Sequence, residues 1–240
     1  MFRRFALLVV FLIACTPSLL SQAVYLPVQH EIYGFLKRME AKGLIESYLD
    51  AARPLARIDL ARYLNDLERL TPEMTRLERE TFEFLKTDFR YEMLKLLGDT
   101  EPSEDRWHIW STEVKGGVMN LDIDFRYAYS FKDSNKLSLR TQGLKLYGYT
   151  YDDVGYYFNL VDTREAGQGI DRLKRYTSEQ GIVPSRQFAE VLEYDAIDAQ
   201  LTYRTGGFTF SLEKASNFWG YGRRGQVIMS GKSPSYPQWV

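Results

Sequence analysis

One stretch of the chain, VMNLDIDFRYAYSF at residues 118–131, alternates apolar with polar or small side chains without interruption from Met119 onward. A β-strand points successive side chains to opposite faces, so one face of this strand is wholly apolar and aromatic. About thirteen residues is long for a soluble antiparallel sheet, and aromatic residues gathered at one end are typical of a transmembrane β-strand. The apolar face holds Met119, Leu121, Ile123, Phe125, Tyr127, Tyr129 and Phe131.

The opposite face of that strand carries Asp122, Asp124 and Arg126. In a transmembrane strand these side chains are lumen-facing while the apolar face contacts lipid. We expect the two carboxylates to pair with Arg126 or Arg140. Because Asp122 and Asp124 share one face, a carboxylate pair for glycoside hydrolysis is a second interpretation. The lumen-facing interpretation is favoured, since polar lumen positions alternate with lipid-facing ones in such strands.

More strands with uneven connections are predicted after this one. Tight turns are expected at 152–153 and 206–207, and a long polar connection over residues 162–192. Short turns on the periplasmic side and long loops outside are usual in outer-membrane barrels. A soluble β-sandwich with one buried face per strand is the alternative, because alternation is a weak signal in any single segment. The further candidate strands lie in residues 136–150, 153–161, 193–215 and 225–231.

The chain before residue 105 has a helical period instead. Apolar residues recur at three- and four-residue steps, and such amphipathic helices must bury their apolar stripes against one another. Gly43 is a natural end for the first helix, and Thr71-Pro72 is expected to begin a long last one. We therefore predict a periplasmic helical bundle over residues 24–104. Its expected core comprises Ile32, Phe35, Leu36, Met39, Ile58, Ala61, Leu64, Leu67, Phe82, Leu85, Phe89, Met93 and Leu96.

The N-terminus resembles a secretory signal peptide. Arg3 and Arg4 precede an apolar run over residues 5–14 that is too short to span a bilayer, and Ser21-Gln22-Ala23 offers a cleavage site. We expect residues 1–23 to be removed. Alternatively, the segment ending in Cys15 is a lipobox, and Cys15 is acylated. Cys15 is also the only cysteine, so an intrachain disulfide is excluded.

The segment WGYGRRGQV places Gly220, Gly222 and Gly225 at the spacing of a dinucleotide-binding loop. That loop must open a helix, because the pyrophosphate rests on the helix N-terminus. Here a strand-like segment and two prolines follow, so a structural turn is the better interpretation. Aromatic rings and planar polar side chains beside the glycines also suit sugar binding. These candidates are Asn217, Trp219, Tyr221, Arg223 and Arg224.

Evidence for catalysis or for nucleic-acid binding is weak. His30 and His108 have no neighbours at metal-ligand spacing, and no nucleophile motif is present. The net charge of -1 gives no electrostatic reason to expect a nucleic-acid partner. We therefore expect no enzymatic activity, no metal and no cofactor.

The region SLEKASNFWGYGRRGQVIMSGKSPSYP resembles the signature region of the Wzi-type capsule assembly family of outer-membrane β-barrels. The match runs through Trp219-Gly220-Tyr221-Gly222, residues 226–230 and Pro237, although Tyr221 stands where the family more often has proline. The N-terminal segments VYLPVQHEIYGFLKRMEAKGLI and RPLARIDLARYL are also similar to family members. The resemblance thus covers both ends of the mature chain, with a looser strand pattern between them.

This resemblance implies a monomeric outer-membrane protein that binds capsular or extracellular polysaccharide and helps to retain or assemble it at the cell surface. The expected fold class is α+β, with an N-terminal helical bundle followed over residues 105–240 by an antiparallel transmembrane β-barrel in contact with outer-membrane lipid. The six or seven strands expected are fewer than the eight or so needed for closure, so we expect this chain to hold only the first part of a barrel. A porin-like channel is the alternative function, because polar lumen residues suit it equally.

Overall fold

The protein is described by a computed structural model with an α+β architecture, as predicted. The described part contains four α-helices and an antiparallel sheet. It comprises residues 24–48, 51–98, 108–132, 135–151, 153–171, 173, 186–188, 190–205, 208–220 and 235–239. The predicted signal peptide, Cys15 and the strand at 225–231 lie outside these residues.

The helices pack around one apolar core. With the exception of Leu96, which is partly buried, every predicted core residue is buried. Gly43 ends the first helix with a φ of 76°, in the left-handed region that favours glycine. The helices are α1 (Glu31–Ala41), α2 (Arg57–Glu68), α3 (Arg76–Asp88) and α4 (Arg90–Leu96).

Two helix predictions were wrong. Thr71-Pro72 begins only a short 3-10 turn, Thr71–Glu73, and α3 starts after Thr75, whose side chain forms a capping box with Glu78. The predicted long helix is interrupted at Phe89, whose φ of -100° and ψ of 13° separate α3 from α4. Short helices therefore share a core, and the predicted helical bundle is not seen.

The strands form one large antiparallel sheet and one small one. The large sheet has the order β10-β8-β7-β5-β4-β3-β2, with β6 beside β7, and the small one pairs β1 with β9. The strands are β1 (Ala52–Arg53), β2 (Trp110–Val114), β3 (Gly117–Lys132), β4 (Asn135–Thr150), β5 (Val154–Ala166), β6 (Arg186–Phe188), β7 (Val191–Thr205), β8 (Phe208–Ala215), β9 (Phe218–Trp219) and β10 (Tyr236–Trp239).

The connection predicted over residues 162–192 is shorter than expected. β5 continues to Ala166 and β7 begins at Val191, so both ends of the predicted loop belong to the sheet. On the polar face, the buried carboxylate of Glu165 on β5 accepts a hydrogen bond from the hydroxyl of Tyr194 on β7 at 3.0 Å. This side-chain contact joins the two strands at the ends of the predicted loop. Because charged residues are frequent in this segment, its sequence does not show the apolar–polar alternation that predicts a strand.

Within the described residues the large sheet is open. β2 and β10 are its two edges and do not pair with each other, so these strands do not close into the predicted barrel. Each neighbouring pair is antiparallel, and β3, β4, β5 and β7 are 13 to 16 residues long.

No helix in the described part of the chain is both long enough and apolar enough to cross a membrane.

Candidate functional site

The two faces of the large sheet differ in what they contact. On one face, Ile123, Leu144, Leu160 and Ile197 lie side by side in a single cross-strand row. These four side chains are between 38% and 59% exposed, although residues of this type are usually buried. Other exposed apolar side chains of the same face are Trp110, Phe125, Phe158, Leu201, Tyr203, Phe210, Leu212 and Trp239.

The exposed apolar band has a defined height. It extends along β7 from the level of Ile197 to that of Thr205, which pairs with Phe208, a distance of eight residues. At about 3.4 Å per residue the band is roughly 27 Å along the strand, and about 21 Å along the membrane normal for a strand tilted by about 40°. The next row beyond Ile197 is polar across three strands, with Gln142, Asp162 and Asp195 in register. The band is therefore slightly shorter than the apolar band of about 25 Å that is usual in outer-membrane barrels.

The predicted lumen-facing residues lie on the opposite, polar face. Asp122 is in contact with the ring of His108, with 2.8 Å between Oδ1 and Nδ1, and with the ammonium of Lys145 at 3.3 Å. Asp124 and Arg126 are exposed on the same face. The expected partner Arg140 is on the apolar face, opposite Tyr127, because the β3–β4 register places it there.

The helices contact the polar face rather than the apolar one. The guanidinium of Arg57 on α2 donates to Glu92 on α4 at 2.6 Å, and the hydroxyl of Tyr149 on β4 donates to the same carboxylate at 2.9 Å. Arg57 also donates to the backbone carbonyl of Asp88 at 2.5 Å and lies 4.9 Å from the ring centroid of Tyr147. All the partners are mostly buried, so this network joins the helices firmly to the sheet.

Electrostatics keep the network charged. Burial alone would raise the pKa of Asp88, but Arg57 and His30 outweigh burial and hold that pKa well below its usual range. Burial alone would lower the pKa of Arg57, yet Asp88 and Glu92 together raise it. The cluster is therefore an ion pair network at neutral pH.

The described part of the segment that carried the sugar-binding hypothesis comprises β9 and Gly220. Ala52 pairs with Trp219, and the amide of Gly220 donates to the carbonyl of Ala51 at 2.6 Å. Gly220 has a φ of 121°, a backbone conformation that favours glycine. This pairing with β1 was not predicted from the sequence. The candidates Tyr221, Gly222, Arg223, Arg224 and Gly225 lie outside the described residues.

The two described sugar-binding candidates differ in accessibility. Asn217 is buried, and its amide donates to the hydroxyl of Tyr236 at 3.4 Å. Trp219 is 46% exposed and presents part of its ring to the outside. Nearby, the guanidinium of Arg53 lies between the rings of Tyr33 and Phe218, at 4.6 and 5.0 Å from their centroids. Of this pair of candidates, Trp219 is the one that can contact a ligand in this conformation.

A polar cluster that the sequence did not predict lies at the β10 edge of the large sheet. The carboxylate of Glu213 accepts hydrogen bonds from Gln200 at 2.8 Å, from Ser211 at 3.2 Å and from Gln238. The oxygen of Gln200 accepts from the amide of Tyr25 at 2.9 Å. Alternation places Gln200, Ser211 and Glu213 on the polar face. Only the register of β7, β8 and β10 brings the cluster together.

A small open cleft lies between the N-terminal segment, the middle of β7 and the end of β8. Its lining includes Tyr25, Gln29, Asp198 and Ser216, which together offer a ring, an amide, a carboxylate and a hydroxyl. These groups can hydrogen-bond hydroxyls and pack on a sugar ring. Ser216 precedes Trp219 by three residues, so the cleft adjoins the predicted sugar-binding segment.

Neither histidine is placed for metal binding. His30 caps α1, where its Nδ1 accepts from the amide of Ile32 at 3.3 Å, and His108 is held by Asp122. Among the described residues, no group of three or more His, Cys, Asp or Glu side chains is arranged to hold a metal ion. A scan of protein-family models and searches of curated proteins and of solved structures give no match to this chain.

Proposed function

We propose that this chain is an integral outer-membrane protein whose strands form part of the wall of a transmembrane β-barrel, and that it binds capsular or extracellular polysaccharide and helps to retain or assemble it at the cell surface. The proposal has two parts, which rest on different observations. Membrane insertion rests on the apolar face of the sheet. Polysaccharide binding rests on the cleft and on Trp219.

The observation that carries the proposal is that the helices cover the polar face of the large sheet and leave its apolar face exposed. In a soluble sandwich, a second layer covers the apolar face of a sheet. Here the helices pack on the polar face, through Tyr147 and Tyr149, and the apolar face stays exposed across the strands. An exposed apolar patch of this extent needs a partner, and its height of roughly 21 Å approaches the band of about 25 Å found in outer-membrane barrels.

Polysaccharide binding is supported by the chemistry of Trp219 and of the cleft. The half-exposed ring of Trp219 and the cleft of Tyr25, Gln29 and Asp198 offer the stacking and hydrogen-bonding groups that sugars need. A porin-like channel is less well supported, because the helices cover the polar face near Tyr149, where solutes would have to pass.

The test of this function compares two tryptophans. Trp219 and Trp110 are each 46% exposed, but Trp110 is on the apolar face beside Leu121. We expect purified full-length protein in detergent to co-sediment with an acidic capsular-type polysaccharide. Trp219→Ala should weaken this binding about fivefold, as expected for one lost stacking contact of about 1 kcal/mol. Trp110→Ala should bind normally.

Membrane residence is measured on the same protein in cells. Wild-type protein should remain in the membrane pellet after washing with alkaline carbonate. Release into the wash would contradict insertion. Solute flux through planar bilayers without any polysaccharide binding would favour the channel instead.

A further inference from the structure

The end of the apolar face that lies away from the helices carries a stripe of aromatic and cationic side chains. On β3, Tyr127 and Tyr129 stand edge to face at 4.8 Å, and their hydroxyls are joined by a hydrogen bond of 2.6 Å. Phe131 stacks on Tyr129 at 6.4 Å. The β3–β4 register places Arg140 opposite Tyr127 and Lys136 opposite Phe131. These five residues are called here the aromatic–basic stripe.

The cations of the stripe are not neutralised within the described part of the protein. Arg140 donates to the neutral oxygen of Gln142 at 2.8 Å and lies 6.0 Å from the ring centroid of Phe125. Neither Arg140 nor Lys136 forms an ion pair with a described carboxylate, and both are exposed. By contrast, Arg164, which is opposite Arg140 on β5, lies 3.8 Å from Glu193. The unpaired positive charge is therefore concentrated on β4.

The position of the stripe matches the headgroup layer of a membrane. Arg140 is four residues beyond Leu144, the last member of the apolar band on β4. That separation is about 14 Å along the strand and roughly 10 Å along the normal of a membrane crossed at about 40°. Tyrosines are enriched at this depth, where the lipid phosphates also lie.

We propose that the aromatic–basic stripe binds the phosphate of an anionic membrane lipid at the end of the sheet away from the helices. Arg140 and Lys136 supply the charge, and the tyrosine rings lie at the acyl–headgroup boundary. Tyr149, which contacts the helices, is nine residues from Arg140 and so about 30 Å along β4. The stripe therefore anchors the opposite end of the sheet from the helices. This inference rests on the proposed insertion of the apolar face into a membrane.

The experiment uses full-length protein and vesicles of phosphatidylcholine, alone or mixed with phosphatidylglycerol. Wild-type protein should associate with both and should prefer the anionic vesicles. Each basic residue near an anionic surface strengthens association roughly fivefold. The double variant Lys136→Gln/Arg140→Gln should therefore lose about 25-fold on anionic vesicles and nothing on neutral ones. Arg79→Gln, an exposed cation on α3, is the control and should keep the preference.

The outcomes separate this inference from the proposed function. Association with neutral vesicles but no anionic preference would overturn the lipid site and leave membrane insertion standing. An equal loss in Arg79→Gln would also overturn it, because the attraction would then be general. If the double variant lost polysaccharide binding but kept its vesicle preference, the stripe would be a sugar site. Failure to associate with either vesicle would overturn both proposals.

Discussion

At the scale of single residues, the buried ion network around Arg57 is the most consequential feature. Arg57 and Glu92 are 3% and 2% exposed and meet where α2, α4 and β4 come together. Breaking such a pair leaves an uncompensated buried charge, which is strongly destabilising. Asp88 makes the stability of this network depend on pH, because the pKa of Asp88 lies well below its ordinary value in the folded protein.

We therefore expect acid to weaken the helical part through Asp88. A carboxylate with a lowered folded-state pKa adds stability that is complete above its unfolded pKa, near 4, and is lost as the pH falls below that value. Asp88→Asn should cost about 2 kcal/mol at pH 7 and should flatten the fall in stability below pH 4. Urea unfolding followed by circular dichroism between pH 7 and pH 2.5 measures both effects.

The control for this prediction is Asp66→Asn, which changes an exposed aspartate of α2. It should leave the unfolding free energy within about 0.5 kcal/mol of wild type and its acid dependence unchanged. The same acid dependence in Asp88→Asn and wild type would show that Asp88 does not anchor the network.

At the scale of elements, helix ends are set by local chemistry. Thr75 and Glu78 close the capping box of α3, and Lys42 reaches across to Glu78 at 2.7 Å. The hydrogen bond from Lys42, followed by those from Thr75, lowers the pKa of Glu78 to about 2. The Thr-x-x-Glu pattern was present in the sequence, but Thr71-Pro72 offered a competing start four residues earlier.

Two glycines near α1 provide an internal comparison of backbone conformation. A Cβ added to Gly34 or to Gly43 meets no atom within 4 Å, so packing does not distinguish them. Gly34 lies inside the helix, whereas Gly43 has a φ of 76°. Gly34→Ala should stabilise the protein by about 0.5–1 kcal/mol, and Gly43→Ala should destabilise it by about 1 kcal/mol. Thermal unfolding of both variants measures the difference, and shifts of the same sign would contradict this account.

At the scale of the whole molecule, the two faces of the sheet determine the environment that the protein needs. Leu160 on β5 lies in the row with Leu144 and Ile197 on the exposed apolar face, while Asn159 beside it points to the polar face. Introducing a charge at each of these two positions therefore tests whether the apolar face contacts lipid while the polar face contacts water.

Leu160→Arg should reduce membrane insertion, because arginine on the lipid face is unfavourable; at the edge of the apolar band, where Leu160 lies, the cost is up to about 1 kcal/mol. Asn159→Arg should insert like wild type, since the polar face tolerates charge. The measurement is the fraction of each protein that stays in membranes after the carbonate wash. Equal retention of Leu160→Arg would indicate that the apolar face does not contact lipid.

The amino-acid sequence by itself determined the periodicities of this protein. A period near 3.6 residues predicted which side chains of the helices are buried, and a period of two predicted the long β3 and the character of its two faces. These features could be predicted because they depend on neighbours within one element. Charged residues hid the continuation of β5, and Phe89 looked like a further core position of an unbroken helix.

Only the tertiary structure decided which face the helices cover and which residues meet across elements. Nothing in the sequence placed Arg57 against Tyr147, Asp122 against His108 or Trp219 against Ala52. Such contacts depend on strand register and on how separate elements pack, and those depend on the whole set of competing arrangements rather than on any one segment. The covered polar face, and with it the exposed apolar one, is a property of the assembled fold.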